Sequence, residues 1–215
     1  MKKKIRVAVV FGGASPEHGV SCVTAAGVLS AIDQERFEVI PVGIDPQGRW
    51  VLTDQDMATA KITDGQLPQV SHSDGPTLTV GLGNGAQSLV AVDAANGASH
   101  VLASHDVDVV LPLLHGPFGE DGTIQGLFEM AGVPYVGSGV LASAAAMDKH
   151  YMKVVLQSAG LPVGAFEVIT PEQWRNDKHE CLARVETLGL PVFVKPCRAG
   201  SSIGISKVDT RADVV

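Results

Sequence analysis

The stretch that most narrows the possible folds is a largely apolar run, Val107 to Leu114, that stops at HGPFGEDGTIQG, His115 to Gly126. Such a run reads as a strand covered on both faces, the pattern of a parallel sheet. Ile124, Leu127 and Phe128 just after it repeat with helical spacing. Open α/β sheets place ligands just beyond the carboxyl ends of their strands. Here that position holds an imidazole, four glycines and the Glu120-Asp121 pair. Glycine lets backbone come close to a ligand, and titratable groups at a strand end are placed for chemistry. The segment reads as a site rather than a linker.

A chain of 215 residues suits one large domain or two small ones and can bury a core. The net charge of −7 argues against nucleic acid as the main partner, because phosphate backbones need a basic surface. A small anionic ligand responds to local charge and stays open. Cys22, Cys181 and Cys197 are odd in number, far apart and without CxxC spacing, so neither a disulfide framework nor a zinc site is indicated. They read as reduced thiols of a cytoplasmic protein, with Cys22 and Cys181 packed as small hydrophobes. The start, MKKKIRVAVVFGG, is broken by Arg6 and ends at Gly12-Gly13, too short for a signal-peptide core or a membrane span. A first strand is expected there, and no membrane partner.

Ile5 to Phe11 reads as that strand. Ser15-Pro16 offers an N-cap followed by proline at the first helical position, opening a helix to about Ile32. Phe37 to Ile44 is a second strand, completing a βαβ unit that should cross over right-handed. From about Asp54 to Asp106 the pattern weakens into a variable, partly looped region with strand-like pieces at Leu78 to Val80 and Leu89 to Val92. The strand Val107 to Leu114, a helix to about Ala131 and a short strand at Pro134 to Val136 follow. Then the style changes. Asp148 to Ala159 reads as a helix, Val163 to Ile169 as a strand and Pro171 to Leu188 as a helix. Pro191 to Lys195 and Ile203 to Val208 read as two short strands joined by a glycine- and serine-bearing loop. The expected fold class is α/β: a Rossmann-like parallel-sheet domain at 1–143, then an incomplete α+β lobe at 144–215. Thr210-Arg211-Ala212-Asp213 fits a capping box. The chain stops about one turn later, short of the roughly 12 residues an isolated helix needs, so it reads as the front of a longer protein.

The first glycine turn, GGASPEHGVS, sits where strand one gives way to helix one, and helix N-termini carry free N–H donors and partial positive charge. Glu17 there stabilises the helix by up to about 1 kcal/mol, or projects into the crevice beside His115 and holds an ammonium group. His18 reads as a surface residue and a second candidate. GSGVLA, Gly137 to Ala142, matches G-x-G-x-x-A but lacks the acidic residue about twenty positions on, so a tight turn before a helix explains it. No GxxxxGK[ST] loop is present. In VKPCRAGSSIGISKV, Val194 to Val208, two strands flank Gly200, Ser201, Ser202 and Gly204, with Lys195 before the turn and Arg198 within it. Backbone N–H groups, hydroxyls and cations of this kind suit a triphosphate, although glycine and serine are also ordinary turn residues. Lys149 is a further cation, or a solvated lysine on a helix surface.

Taken together, GGASPEHGVS, HGPFGEDGTIQG, VGSGVLASAAAMDKHYMK and VKPCRAGSSIGISKV resemble D-alanine–D-alanine ligase, a family of the ATP-grasp superfamily. The resemblance covers most of residues 5 to 208, apart from the stretch near 54 to 106. It implies a pre-ATP-grasp first domain and the start of an ATP-grasp lobe. It also implies a reaction in which ATP phosphorylates the carboxylate of one D-alanine and the amine of a second attacks the acyl phosphate. By matching motif, Glu17 would bind the first D-alanine's ammonium, His115 would sit beside that substrate and Glu120 would help organise the site. Lys149 and Lys195 would contact the ATP phosphates. The loop from Gly200 to Gly204, with Ser201 and Ser202, would close over the transferring group, and Ser201 would join a hydrogen-bond network reaching Glu17. ATP with Mg2+ or Mn2+ is the implied cofactor, a homodimer the implied assembly, and peptidoglycan precursor supply the implied role.

The resemblance implies that the family's magnesium carboxylates and asparagine, a loop tyrosine and an arginine for the intermediate would lie beyond Val215, so no metal ligand is assigned in this chain. Arg198-Ala199-Gly200 stands where some members have Arg-Glu-Gly. Phosphoryl transfer depends mainly on positioning and charge stabilisation, so lysines and backbone donors suffice without a protein nucleophile. Loop closure would exclude water and protect the acyl phosphate. The rival readings are a D-alanine–D-lactate or D-serine ligase, and a non-catalytic fragment that folds through its first domain, dimerises or binds weakly.

Overall fold

In the computed structural model, which describes residues 3–53, 61–71, 77–81, 88–95, 98–210 and Asp213, the chain forms two compact units, Met1–Ala144 and Ala145–Val215. The first unit is built on β1 (Ile5–Gly12), β2 (Phe37–Ile44), β3 (Trp50–Leu52), β4 (Thr77–Val80), β5 (Ser88–Ala95), β6 (Ala98–Asp106) and β7 (Val109–Pro112). Among the described residues the sheet order is β6-β5-β4-β3-β2-β1-β7. β1 runs parallel to β2 and to β7, with Val9 opposite Pro41 on one side and Leu111 on the other.

Helix α1 (His18–Ala31) covers one face of this sheet and α2 (Thr123–Ala131) the other. Alternate residues of β1 therefore enter different cores. Val7, Val9 and Phe11 pack with Cys22, Ala25 and Leu29 of α1, while Ala8 and Val10 share a cluster with Ile124 and Phe128 of α2. A strand with both faces covered needs an unbroken apolar run, which is why IRVAVVF was readable as a strand. Trp50 meets Phe128 edge to face at 6.3 Å, a favoured arrangement for aromatic pairs.

The parallel-sheet expectation holds for β2-β1-β7 and fails beyond them. β3, β4, β5 and β6 pair antiparallel, so the region expected to be partly looped extends the sheet. Both strand-like pieces lie in it, within β4 and β5; residues 54–60, 72–76 and 82–87 lie outside the described residues. Pro134 to Val136 joins the sheet only as a bridge, Val110 with Tyr135. α1 begins at His18, with Glu17 rather than Ser15 at its N-cap; the Ser15 hydroxyl instead accepts the Glu17 N–H at 3.1 Å. Helix α3 (Val140–Met147) spans the boundary between the units.

The second unit contains α4 (Lys149–Ser158), α5 (Pro171–Asn176), α6 (Lys178–Glu186) and the antiparallel pair β8 (Val192–Val194) and β9 (Ser206–Val208). The single helix expected over Pro171 to Leu188 is two. Asp177 ends α5 and caps α6, its carboxylate accepting the Glu180 N–H at 2.9 Å. Val163 to Ile169 is not a strand. It runs as a strap held by Arg184, which donates to Glu167 at 2.6 Å and to the Val168 carbonyl at 2.8 Å. The Thr210–Asp213 half of the capping box is formed, with the Asp213 carboxylate accepting the Thr210 N–H and hydroxyl. Arg211 and Ala212 lie outside the described residues.

Candidate active site

Because β1 and β7 are parallel neighbours, the loops leaving their carboxyl ends are neighbours too. Ser21 of α1 fastens both exits: its buried hydroxyl accepts the Gly12 N–H at 2.8 Å and donates to the Leu113 carbonyl at 2.6 Å.

Glu17 sits at that junction and is 7% exposed. Although it is the N-cap of α1, its side chain makes no capping bond. The carboxylate instead lies against Gly116, where a β-carbon would be 2.5 Å from Glu17 Oε2 and 2.8 Å from Ser15 Oγ. Gly116 also has φ +73°, a conformation only glycine adopts cheaply. His115 precedes it, and the Thr24 hydroxyl, which donates to Val20 O, accepts from His115 Nε2 at 3.1 Å.

The rest of the loop is held by its own carboxylates. Glu120, exposed, accepts the Gly116 N–H at 2.7 Å. Asp121 accepts the N–H of Phe118 and of Thr123, both at 3.0 Å. Burial works to raise the Asp121 carboxyl, but these bonds and the Thr123 hydroxyl hold it below its ordinary value. Phe118 is left-handed, φ +67°, which is costly for a bulky side chain and characteristic of functional loops. Gln125, on α2, donates to the Gly119 carbonyl at 2.8 Å from behind the loop.

His18 is not the surface residue expected. It is 6% exposed, with Nδ1 donating to the Gly13 carbonyl at 2.8 Å and Nε2 accepting the Val70 N–H at 3.0 Å. It is a buried latch between the first glycine turn and Val70.

In the second unit, Lys149 and Lys195 border a cavity of about 640 Å³ whose wall includes Lys153, Phe166, Phe193 and Cys197. Lys153 lies 4.6 Å over the Phe166 ring. Lys195 is exposed beyond the end of β8, and Lys149 is half-buried, its ammonium donating to the Ala199 carbonyl. The loop between β8 and β9 turns at Gly200 to Ile203, where the Ile203 N–H reaches Gly200 O at 2.9 Å. Ser201 (φ +45°) and Ser202 (φ +57°) occupy its two central positions, each left-handed at a cost of roughly 1–2 kcal/mol. Gly204 packs against Pro196.

Lysine ammonium groups on the wall of an open cavity are of the kind that suits a nucleotide's phosphates. Among the described residues no group of three or more His, Cys, Asp or Glu is placed to hold a metal. No described helix is long and apolar enough to cross a membrane. Ser21, Gln125 and Asp148 were missed from the sequence. Only Asp148 carried a local signal, an acidic residue at a helix N-cap.

The family profile described as D-ala D-ala ligase N-terminus matches residues 6–138, and D-ala D-ala ligase C-terminus matches residues 155–215. With the fold, these matches define the class as a ligase. The chain belongs to the D-alanine–D-alanine ligase family. It is 55% identical over 205 residues to the D-alanine–D-alanine ligase of Paenarthrobacter aurescens, covering 95% of this chain and 53% of that protein. It is 54% identical to that of Pseudarthrobacter chlorophenolicus, covering 97% and 54%. Among solved structures it is similar to the D-alanine-D-alanine ligase of Coxiella burnetii, with TM-score 0.79 and 30% identity over 98% of this chain and 56% of that one. It is also similar to the VanG D-Ala:D-Ser ligase of Enterococcus faecalis, with TM-score 0.76 and 31% identity over 99% and 57%. The chain spans about half the length of the curated relatives it matches.

Proposed function

We propose that this protein joins two D-alanines at the expense of ATP, supplying a peptidoglycan precursor. The γ-phosphoryl group of ATP moves to a carboxylate oxygen of the first D-alanine and ADP leaves. The second D-alanine's ammonium gives a proton to solvent, its amine attacks the carbonyl carbon, and the carbon–oxygen bond breaks with its electron pair leaving on phosphate while the nitrogen loses its second proton to solvent or to the departing phosphate. Glu17 holds the first substrate's ammonium, with His115 beside it and Glu120 shaping the loop. Lys149 and Lys195 neutralise the phosphates, and the loop from Gly200 to Gly204 covers the transferring group with Ser201 and Ser202. Mg2+ or Mn2+ would travel with the nucleotide and offset its charge. Homodimerisation and a cytoplasmic setting belong to the same proposal.

The observation that carries this reading is a buried carboxylate, Glu17, that leaves its own helix N-terminus uncapped and is set against Gly116. The relatives' names favour D-alanine as second substrate, and the likeness to a D-Ala:D-Ser ligase makes D-serine the specific competitor. The test is coupled ADP release with D-alanine, D-serine or D-lactate as acceptor. Glu17→Gln should raise KM for the first D-alanine at least about ten-fold, the loss of one charged hydrogen bond, and Lys195→Ala should lower kcat. ADP release independent of any D-amino acid, or unaffected by both substitutions, would overturn the proposal.

A further inference from the structure

We infer that Asp148 and Arg198 are a positioning pair that fastens residues 197–199, the root of the loop between β8 and β9, to the first turn of α4, leaving the tip from Gly200 to Gly204 as the part that rearranges over a phosphate. The phosphate in this statement rests on the nucleotide reading of the second unit; the fastening does not.

Two consecutive residues at the start of α4 hold three consecutive residues of the loop. The Lys149 N–H donates to Cys197 O at 3.0 Å, Arg198 Nε donates to Asp148 Oδ2 at 2.8 Å, and Lys149 Nζ donates to Ala199 O. Asp148 is 7% exposed and spends its other oxygen on the helix, accepting the His150 N–H at 3.0 Å. A nearly buried carboxylate that loses its cation keeps a strong demand for one, so the pair is a fixed point although the Arg198 side chain is 72% exposed. The Arg198 guanidinium, aided by the His150 and Tyr151 N–H groups and opposed by burial, holds the Asp148 carboxyl below its usual range.

Beyond Ala199 the loop folds on itself through Ile203 to Gly200 and Ile205 to Ser202, with both serines left-handed. The division of labour follows. Arg198 gives Nε to Asp148 and so serves the root of the loop as a positioning residue. Lys149 has three donors and gives one to Ala199; a phosphate that draws the ammonium away loosens one tie, and the other two keep the root in place.

The test compares Asp148→Asn, which keeps a good N-cap, with Arg198→Gln on the exposed side and with the double variant. The reporter is hydrogen exchange at the Lys149 amide, with the amides of α6 as folding control. Each single variant should speed the Lys149 amide about ten-fold, as expected for loss of one charge-assisted bond, and the double variant should add nothing, because the residues act as one unit. An unchanged Lys149 amide, or effects that multiply in the double variant, overturns the pair. ATP titration calorimetry separates the two layers. Weaker ATP binding in both variants supports positioning; tighter binding in Asp148→Asn shows Arg198 released to a phosphate and overturns it. Wild-type protein that ignores ATP while its Lys149 amide still responds sinks the nucleotide reading and upholds the fastening.

Discussion

Glu17 Oε2 and Gly116 are in close contact: a β-carbon at position 116 would lie 2.5 Å from the carboxylate oxygen, so any other residue there forces the Glu17 side chain to move. The contact joins the first turn after β1 to the loop after β7, segments about a hundred positions apart in the chain. It also explains why Glu17 leaves the N-terminus of α1 uncapped.

Gly116→Ala should therefore damage both stability and binding. The left-handed conformation costs alanine roughly 1–2 kcal/mol, and Glu17 must move as well. Urea denaturation should show the stability loss, and the coupled assay a KM for the first D-alanine raised with kcat changed less. An unaltered KM would separate Gly116 from the amino-acid subsite.

Ser21→Ala removes one hydroxyl and leaves two main-chain groups, the buried Gly12 N–H and the partly buried Leu113 C=O, without that partner. The expected loss is about 2–3 kcal/mol, from the desolvation cost of unsatisfied polar groups. Chemical denaturation checks it, and a loss below half a kcal/mol would mean the strand exits are held by other contacts.

The three thiols should separate cleanly. Cys197 is exposed, whereas Cys22 and Cys181 are buried, and burial pushes the Cys22 thiol up to about 11, against weaker backbone hydrogen bonds. Thiolate is the reactive form. At pH 8 a disulfide reagent should titrate one equivalent quickly and the other two only on unfolding; a Cys197→Ser variant should lose the fast equivalent.

Arg6 ties the edge strand to the sheet through Asp108, donating from its main-chain N–H at 2.7 Å and its guanidinium at 2.8 Å. Those bonds hold the Asp108 carboxyl well below its usual range, the Arg6 side chain contributing most. With the native value below the unfolded value of about 3.9, the unfolded chain binds more protons between them. The pair's stabilisation is complete above about pH 5 and fades as pH falls toward the native value. The urea midpoints of wild type and Asp108→Asn should differ at pH 7 and draw together progressively as pH falls below about 4, the unfolded value. Parallel curves at every pH would refute the assignment.

Where structure depends on neighbours in sequence, the chain was readable. β1, α1, β2 and the helix after Gly122 announced themselves through apolar runs and periodicity, and the loop between β8 and β9 through its turn residues. The failures have one cause. Val163 to Ile169 has strand-like composition but is strapped by Arg184 of α6, and β4 and β5 gained their antiparallel partners across weakly patterned sequence. Composition records which residues favour extension, not which backbone is available to pair with them.

The amino-acid order by itself determined the two-sided burial of the central strands and the chemical types gathered at their carboxyl ends: a carboxylate after β1, an imidazole and glycines after β7, cations around the β8–β9 turn. Only the tertiary structure decided what each group faces. It turned Glu17 away from its helix and onto Gly116, sank His18 between Gly13 and Val70, and set Asp148 against Arg198. Burial follows local hydrophobic pattern, whereas a polar side chain takes its direction from hydrogen-bond partners that are brought near only when distant segments pack.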